Sequence, residues 1–269
     1  MLRSLLVFWL IAYSFRYRTG PWNFFQLNSD YFNGEKNIFS KLELNNYIPS
    51  RWRLRQVVDD GRCELQFPVF VKPEWGQNSH GVALARDLLE LNRLRRTRTT
   101  KNVTYLLQES APESREFEIF YVRSADDPDN AAILSITETV NLSDDTLVVN
   151  SIRNSNSCYC DITPLFNEKE LQEMWQTVKS IGCFRIARVG LRADSLQALI
   201  NGTFHVIEVN IFLPMPLVLL DTESGFHEKH SFIRKSMEAS ALLIRSLGQP
   251  QKKHPIFFRQ LIAHYKVKE

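Results

Sequence analysis

The chain has 269 residues, 44% of them hydrophobic and 23% charged, and it carries four cysteines. This composition predicts a globular protein with a large core, built as one compound domain or two small ones. The net charge of +3 argues against a nucleic-acid-binding protein, and four scattered cysteines exclude a disulfide framework and favour the reducing cytoplasm. A basic run over residues 93–101 is typical of a solvated helix end, with a phosphate-facing role as the alternative.

The sequence opens with an apolar segment that begins at Leu5 and ends at Phe15, with Arg3 before it and further arginines after it. The segment is shorter than the about 18 apolar residues that a bilayer span needs. It also lacks a convincing small-residue cleavage site, which argues against a signal peptide. We expect a buried first element that packs on the core; the alternative is an interfacial membrane anchor with basic flanks.

The next elements are predicted from periodicity and from turn residues. A loop over residues 22–34 precedes a helix over 35–45, in which apolar residues share one face. A compact apolar strand over 67–72 then enters a polar, glycine-bearing loop over 73–81. Such a strand and loop can bring backbone N–H groups close to an anion. A helix over 82–95 follows.

The second half of the chain mixes strands and helices. An amphipathic helix is predicted over 168–181, closed by Gly182, and a long helix over 229–247. The predicted strands are 105–109, 116–123, 132–140, 146–152 and the strand-turn-strand segment 185–209. This order is mixed rather than strictly alternating, so it favours an α+β fold with antiparallel sheets.

Two polar motifs lie at the ends of neighbouring predicted strands. Arg192 and Asp194 stand in the first, and Glu208, fourteen residues after Asp194, stands with Asn210 in the second. Alternate strand residues point the same way, so Asp194, Glu208 and Asn210 would present three oxygen donors on one sheet face. Carboxylates placed there without a cation would repel one another. Mg²⁺ prefers oxygen ligands and usually arrives with phosphates, so the pattern indicates nucleotide chemistry.

Further motifs follow one another in a fixed order: E-K-N-I-F-S-K, F-P-V-F-V-K-P, a Gly/Ser loop, a strand with Gln-Glu, then R-E-F, R-x-D and E-V-N. This series, over roughly residues 36–216, resembles the ATP-grasp fold, most closely its D-alanine–D-alanine ligase-like branch. The resemblance implies an α+β fold in which two subdomains with mixed or antiparallel sheets grip a nucleotide. The expected divisions are an apolar N-terminal segment (1–34), a small subdomain (35–105), a C-terminal subdomain with the metal site (106–247) and a tail (248–269).

The resemblance also implies roles for the nucleotide-binding residues. Lys72, at the end of a buried strand, would neutralise an α- or β-phosphate as a point charge. Either Lys36 or Lys41 would be the second nucleotide lysine, with Lys36 nearer the family position. Ser79 would offer its hydroxyl to phosphate oxygens from a loop that folds over the triphosphate.

The adenine would lie against the strand that joins the two halves of the fold, which Gln108, Glu109 and Ser110 match. Glu116 in R-E-F matches the carboxylate that holds the ribose hydroxyls; the alternative is an exposed strand glutamate. Arg192 shares its face with Asp194 and would stabilise negative charge on the transferring phosphoryl group. The implied cofactors are ATP and Mg²⁺, for which Mn²⁺ could substitute, with Asp194, Glu208 and Asn210 as the metal ligands.

Two features depart from the family pattern. The family follows E-x-N with x-x-P-G, whereas residues 211–216 read I-F-L-P-M-P, which suggests a changed acceptor pocket. About 35 residues precede Lys36, so we expect the family's N-terminal domain to be missing or reduced.

The leading functional prediction is an ATP-grasp ligase that forms carbon–nitrogen bonds. It would phosphorylate a carboxylate with Mg²⁺ and ATP and pass the acyl group to an amine, releasing ADP and phosphate, with an amino acid or peptide as the acid. The alternatives are a phosphotransferase that uses the same nucleotide site and a non-catalytic ATP-binding module. The expected partners are ATP and a small carboxylate–amine pair, without nucleic acid. A homodimer, and membrane contact through the apolar segment from Leu5 to Phe15, stay open.

Overall fold

The computed structural model describes residues 1–76, 79–98, 103–143, 149–150, 154–247, 255–260 and 262. Two antiparallel sheets with helices around them form its frame. The smaller sheet has four strands in the order β1-β4-β2-β3. These strands are β1 (Gln56–Val58), β2 (Val69–Pro73), β3 (Ala83–Ala85) and β4 (Tyr105–Glu109).

The larger sheet has five strands in the order β7-β6-β5-β8-β9, and its neighbouring strands are antiparallel. These strands are β5 (Arg115–Arg123), β6 (Ala131–Asn141), β7 (Ser157–Asp161), β8 (Ile186–Ala193) and β9 (His205–Asn210). The α-helices are α1 (Leu2–Arg16), α2 (Lys41–Asn45), α3 (Leu88–Thr97), α4 (Glu168–Lys179), α5 (Leu196–Ile200) and α6 (Phe226–Ser246).

The central strand β5 shows how the sequence sets the two faces of the larger sheet. Successive strand residues point to opposite faces, so Phe117 and Tyr121 share one face. Both side chains are fully buried there, and the Tyr121 ring packs edge-on against Trp175 of α4 with centroids 5.2 Å apart. The opposite face starts with Glu116 and Glu118 and looks toward the smaller sheet. One face of the larger sheet therefore packs into the core, and the other face lines a candidate functional site.

The N-terminal segment packs as a helix against α6. Tyr13 is buried in one cluster with residues of α6, and Trp9 Nε1 donates a hydrogen bond of 3.1 Å to His230. The outer side of α1 leaves Val7, Phe8 and Phe15 exposed. Among the residues that the structure describes, no helix combines the length and apolar character that crossing a membrane requires. All four cysteines are free.

Helix caps explain where two predicted helices differ from the structure. The helix predicted over 35–45 begins only at Lys41, because Ser40 is its N-cap and accepts a hydrogen bond from the backbone N–H of Glu43. The helix predicted over 82–95 begins only at Leu88, after the N-cap Asp87, and strand β3 takes up the preceding residues.

Other elements of the structure also differ from the predictions. The loop over 22–34 contains two 3-10 helices, Pro21–Gln26 and Ser29–Tyr31, and strands β1 and β7 were not predicted. Of the strand predicted over 146–152, the structure describes residues 149 and 150, which lie outside any strand. Most of the predicted tail lies outside the described residues, and the subdomain boundaries stay a prediction.

Candidate functional site

A cavity of about 130 Å³ lies between the two sheets. Strands from both sheets contribute its walls, which mix four cationic side chains with four carboxylates. The charged lining residues are Lys41, Lys72, Arg188, Arg192, Glu109, Glu116, Glu118 and Glu208. The cavity is therefore strongly polar, although it adjoins the core.

Lys72 is a deeply buried cation of this cavity. It lies in β2, is 6% exposed, and donates through Nζ to Gln108 Oε1 on the adjacent strand at 2.7 Å. Burial and the charge of Lys41 lower the pKa of Lys72 to about 7, against the opposing attraction of Glu208. A buried ammonium is costly unless an anion accompanies it, so the site is suited to an anionic ligand.

Strand β4 forms the cavity wall opposite the larger sheet. Gln108 and Glu109 both line the cavity, and Glu109 Oε2 accepts a hydrogen bond of 3.2 Å from the backbone N–H of Arg55. Ser110, predicted as a third residue of this strand motif, lies outside the lining, and its hydroxyl donates to the carbonyl of Ala111 at 3.4 Å. The structure thus brings two of the three predicted residues to the site.

A chain of contacts joins the loop after β2 to the face of β5. The hydroxyl of Ser79 donates to the carbonyl of Asn150 at 3.1 Å, and the side-chain amide of Asn150 donates to Glu116 at 3.0 Å. Arg192 lies 3.7 Å from Glu116. Burial raises the pKa of Glu116, opposed by the hydrogen bond from Asn150 and the charge of Arg192. Glu116 and Ser79 therefore face the cavity together.

Of the two candidate nucleotide lysines, Lys41 lines the cavity, whereas the preferred candidate, Lys36, does not. Lys36 lies outside the lining and pairs with the buried carboxylate of Glu74 at 2.6 Å. Because α2 begins at Lys41, that side chain points toward β9, where Nζ lies 3.3 Å from Glu208 Oε1. Glu74 also accepts a hydrogen bond from the Ser40 hydroxyl, which fixes the start of the helix.

One row of residues crosses the larger sheet beneath the cavity. Glu118 of β5 pairs with Gly190 of β8, and Gly190 pairs with Glu208 of β9. A methyl group added at Gly190 would lie 3.4 Å from Glu118 Oε1 and 3.2 Å from Ile207. The absent side chain therefore leaves space in which the two flanking carboxylates face the same cavity.

Arg188 lies beside this row, on the same face of β8. Its Nε is 3.2 Å from Glu118 Oε2, and its Nη1 donates to the carbonyl of Met215 at 3.3 Å. Neither Arg188 Nε nor Glu118 Oε2 has a hydrogen-bonding partner among the described residues, although both are buried. Burial raises the pKa of Glu118 to about 7, against the pull of Arg188. The two groups therefore form an ion pair without a well-aligned hydrogen bond between these two atoms.

Glu208 is the most acidic carboxyl of the cavity. Burial favours its neutral form, but the charges of Lys41, Arg188 and Lys72 outweigh burial and lower the pKa of Glu208 to about 2. The side-chain amide of Asn210 donates a hydrogen bond of 2.9 Å to Glu208, so the amide oxygen of Asn210 points away from that hydrogen bond. Glu208 is thus held as an anion next to an amide.

The structure does not place Asp194, the third predicted metal ligand, beside this pair. It lies four residues beyond Gly190, the residue opposite Glu208, and so about 13 Å farther along the sheet. Its carboxylate accepts hydrogen bonds from the N–H and the hydroxyl of Ser114, at 3.1 and 3.4 Å. The motif spacing overlooked the antiparallel register, which matches Glu208 to Gly190.

The remaining donors fit a magnesium ion that comes with phosphates. In the part of the chain that the structure describes, no three His, Cys, Asp or Glu side chains cluster as a complete metal site. Mg²⁺ in nucleotide sites keeps several waters and uses one or two carboxylates plus substrate phosphates. Glu208 and the amide oxygen of Asn210 are of that donor type.

Sequence reasoning did not single out Arg188, Glu118 or Asn150. For Glu118 a signal existed, because it alternates with Glu116 on one face of the strand. Arg188 likewise alternates with Arg192. Asn150 could not be found in this way, since residues 149 and 150 do not form the strand that was predicted there.

Solved structures with a similar fold are known. A carboxyaminoimidazole ribonucleotide synthase from Aspergillus clavatus, complexed with ATP, matches with a TM-score of 0.51 and 11% identity, over 77% of this chain and 52% of that chain. The VanG D-Ala:D-Ser ligase from Enterococcus faecalis matches with a TM-score of 0.51 and 12% identity, over 80% of this chain and 70% of that chain. A D-alanine–D-alanine ligase from Bacillus anthracis matches with a TM-score of 0.50 and 14% identity, over 78% of this chain and 69% of that chain.

These likenesses confirm the predicted fold: the chain has the ATP-grasp fold, with two sheets around the cavity. The chain spans 52% of the length of the synthase and about 70% of each ligase. No protein-family model and no curated protein sequence matches the chain.

Proposed function

We propose that the chain is an ATP-dependent ligase that activates a carboxylate as an acyl phosphate and transfers the acyl group to an amine. The observation that carries the proposal is the buried ammonium of Lys72, which lines the same cavity as the Lys41–Glu208 pair. Core packing alone gives no reason to bury two lysines beside a sheet face. A polyphosphate bound between the sheets gives one, because it places negative charge next to both ammonium groups.

In this proposal the nucleotide lies between β4 and the face of β5. Gln108 and Glu109 would contact the adenine edge, and Glu116 would accept hydrogen bonds from the ribose hydroxyls. Lys72 and Lys41 would neutralise phosphate oxygens. Binding an anion there also restores the normal charged state of Lys72, whose pKa is otherwise near 7.

Glu208 and Asn210 would hold a magnesium ion between the protein and the phosphates. When bound, this ion neutralises charge on the phosphate oxygens and orients the transferring group. The charge of Lys41 helps to lower the pKa of Glu208 to about 2 and so keeps the Glu208 carboxylate ionised for the magnesium ion. Glu118 of β5 would add a third oxygen donor from the far side of β8, across the space that Gly190 leaves open.

The chemistry then needs positioning and charge neutralisation rather than a protein nucleophile. A carboxylate oxygen of the acid forms a bond to the γ-phosphorus, and the bond from that phosphorus to the β–γ bridging oxygen breaks, releasing ADP. The amine nitrogen next attacks the acyl carbon, loses a proton and displaces phosphate. Arg188 and Arg192 face the cavity where negative charge builds up on the transferred group, and they would stabilise it.

Hydroxylamine tests the proposal because it can take the place of the amine substrate. It intercepts an acyl phosphate to give a hydroxamate and phosphate, so the ligase should form hydroxamate and ADP in equal amounts over a panel of carboxylic acids. The Lys72→Met variant is the matched negative control. A stable phosphorylated product that hydroxylamine leaves untouched would instead establish a phosphotransferase. Tight ATP binding without ADP release on any acid would establish a non-catalytic module.

A further inference from the structure

A second cavity, of about 280 Å³, adjoins the first. Arg188 lines both cavities, and Asn210 lines the second. The rest of its wall comes mainly from α1, from the segment 211–216 that follows β9, and from Met237 of α6. The second cavity therefore meets the proposed nucleotide site at its polar end.

The lining of this second cavity favours an apolar ligand with an anionic head group. Of its fourteen lining residues eleven are apolar, and the three polar ones are Arg3, Arg188 and Asn210. Two of these three are cations, and none of the described lining residues is a carboxylate. An anionic head group would find a guanidinium in this lining, whereas an ammonium group would find a carboxylate only beyond it, at Glu118 and Glu208 of the first cavity.

The segment 211–216 gives the cavity a stiff wall. Pro214 and Pro216 fix their own backbone φ angles. Leu213 has a φ of +49°, a left-handed conformation that a leucine rarely adopts. Strain of this kind persists where the surrounding structure over-determines it, which is typical of ligand sites.

The volume sets the size of the occupant. An apolar cavity of about 150 Å³ holds one benzene ring. At about 280 Å³, the second cavity has room for about ten to twelve non-hydrogen atoms by the same measure.

We propose that the second cavity binds the acid substrate, and that this substrate is an apolar carboxylic acid without a charged amino group, such as a medium-chain fatty acid. Its carboxylate lies at Arg188, next to the γ-phosphate position, and its tail lies against α1 and Met237. This inference rests on the proposed ligase function and replaces the expected amino acid by a different class of acid.

Calorimetric titration of the full chain tests this assignment with four ligands: decanoate, butyrate, 2-aminodecanoate and decanol. Decanoate should bind tightest, and affinity should rise about fourfold for each methylene between butyrate and decanoate. The 2-amino compound and the alcohol should each bind at least tenfold more weakly than decanoate. Equal binding of decanoate and 2-aminodecanoate, or affinity that is independent of chain length, would overturn the proposal.

Two variants on α1 separate the second cavity from general surface binding. Val7 and Phe8 are both exposed, at 57% and 59%, but of the two Val7 alone lines the cavity. Val7→Asp should weaken decanoate binding at least tenfold, and Phe8→Asp should leave it unchanged; equal effects of the two variants would refute the site.

A fluorescent ATP analogue is titrated in parallel and should bind both variants like the unmodified chain. Nucleotide binding without decanoate binding refutes the acid assignment and leaves the ligase proposal standing. Absence of nucleotide binding refutes the ligase proposal itself.

Discussion

Replacing Lys72 by methionine should stabilise the fold and weaken nucleotide binding at the same time. Burial and the charge of Lys41 lower the pKa of Lys72 from 10.5 to about 7. That difference of about 3.5 units, at about 1.36 kcal/mol each, makes the buried ammonium unfavourable by roughly 5 kcal/mol. Methionine removes this cost but also the hydrogen bond to Gln108, a loss of about 1.5–3 kcal/mol. The variant should therefore be about 2–3 kcal/mol more stable below pH 7.

The pH dependence of this difference follows from the sign of the shift. The pKa of Lys72 is lower in the native state than in the unfolded chain, so below pH 7 both states carry the proton and the full cost is present. Between pH 7 and pH 10.5 the native state releases its proton first, and the unmodified protein gains stability as pH rises. By pH 9 the free energy of unfolding of the unmodified protein has risen by roughly 3 kcal/mol, so the Lys72→Met variant should be scarcely more stable than the unmodified protein.

Urea unfolding at pH 6 and pH 9 measures this effect, and titration with a fluorescent ATP analogue measures the functional loss. We expect the Lys72→Met variant to bind the nucleotide at least tenfold more weakly, since it loses a charged hydrogen-bond donor. Lys169→Met, at an exposed lysine of α4, is the control and should change neither quantity. A Lys72→Met variant that is less stable at pH 6, or whose stability difference is independent of pH, would refute the description of Lys72 as a destabilised buried cation.

Three further outcomes are expected. Lys41→Ala should weaken binding of the fluorescent ATP analogue at least tenfold, and Lys36→Ala should leave it within twofold, because one lysine lines the cavity and the other pairs outside it. Glu208→Gln should remove the dependence of nucleotide binding on Mg²⁺, whereas Asp194→Asn should retain it; loss of the dependence in both variants would restore the original set of three ligands. Gly190→Ala should lower the free energy of unfolding in urea by about 1–2 kcal/mol, because its methyl group would lie 3.2 Å from the nearest side chain.

Strand periodicity allowed much of the fold to be predicted. The strand predicted over 105–109 matches β4, and that over 116–123 differs from β5 by one residue, because apolar residues there mark the faces directly. Strand β1 has only three residues, and strand β7 reads S-C-Y-C-D without a run of aliphatic residues, so both give weak local signals. Their pairing with distant strands decides their structure.

The site was predictable as a set of residue types but not in its register. The motifs indicated Lys72, Glu116 and Glu208, which the structure places in one cavity. The place of Asp194 relative to Glu208 could not be predicted, because spacing along the chain does not reveal which residue of one strand faces which residue of the next. A slip of four residues keeps the same sheet face, so face-based reasoning could not detect it.

The position of Arg188 between the two cavities has a thermodynamic consequence. One guanidinium borders both proposed anion sites and Glu118, so the occupancy of one cavity alters the electrostatic environment of the other. Linkage then requires that ATP change the affinity for the acid by the same factor by which the acid changes the affinity for ATP. The two substrates therefore cannot be treated as independent ligands, and the apparent affinity of either depends on the concentration of the other.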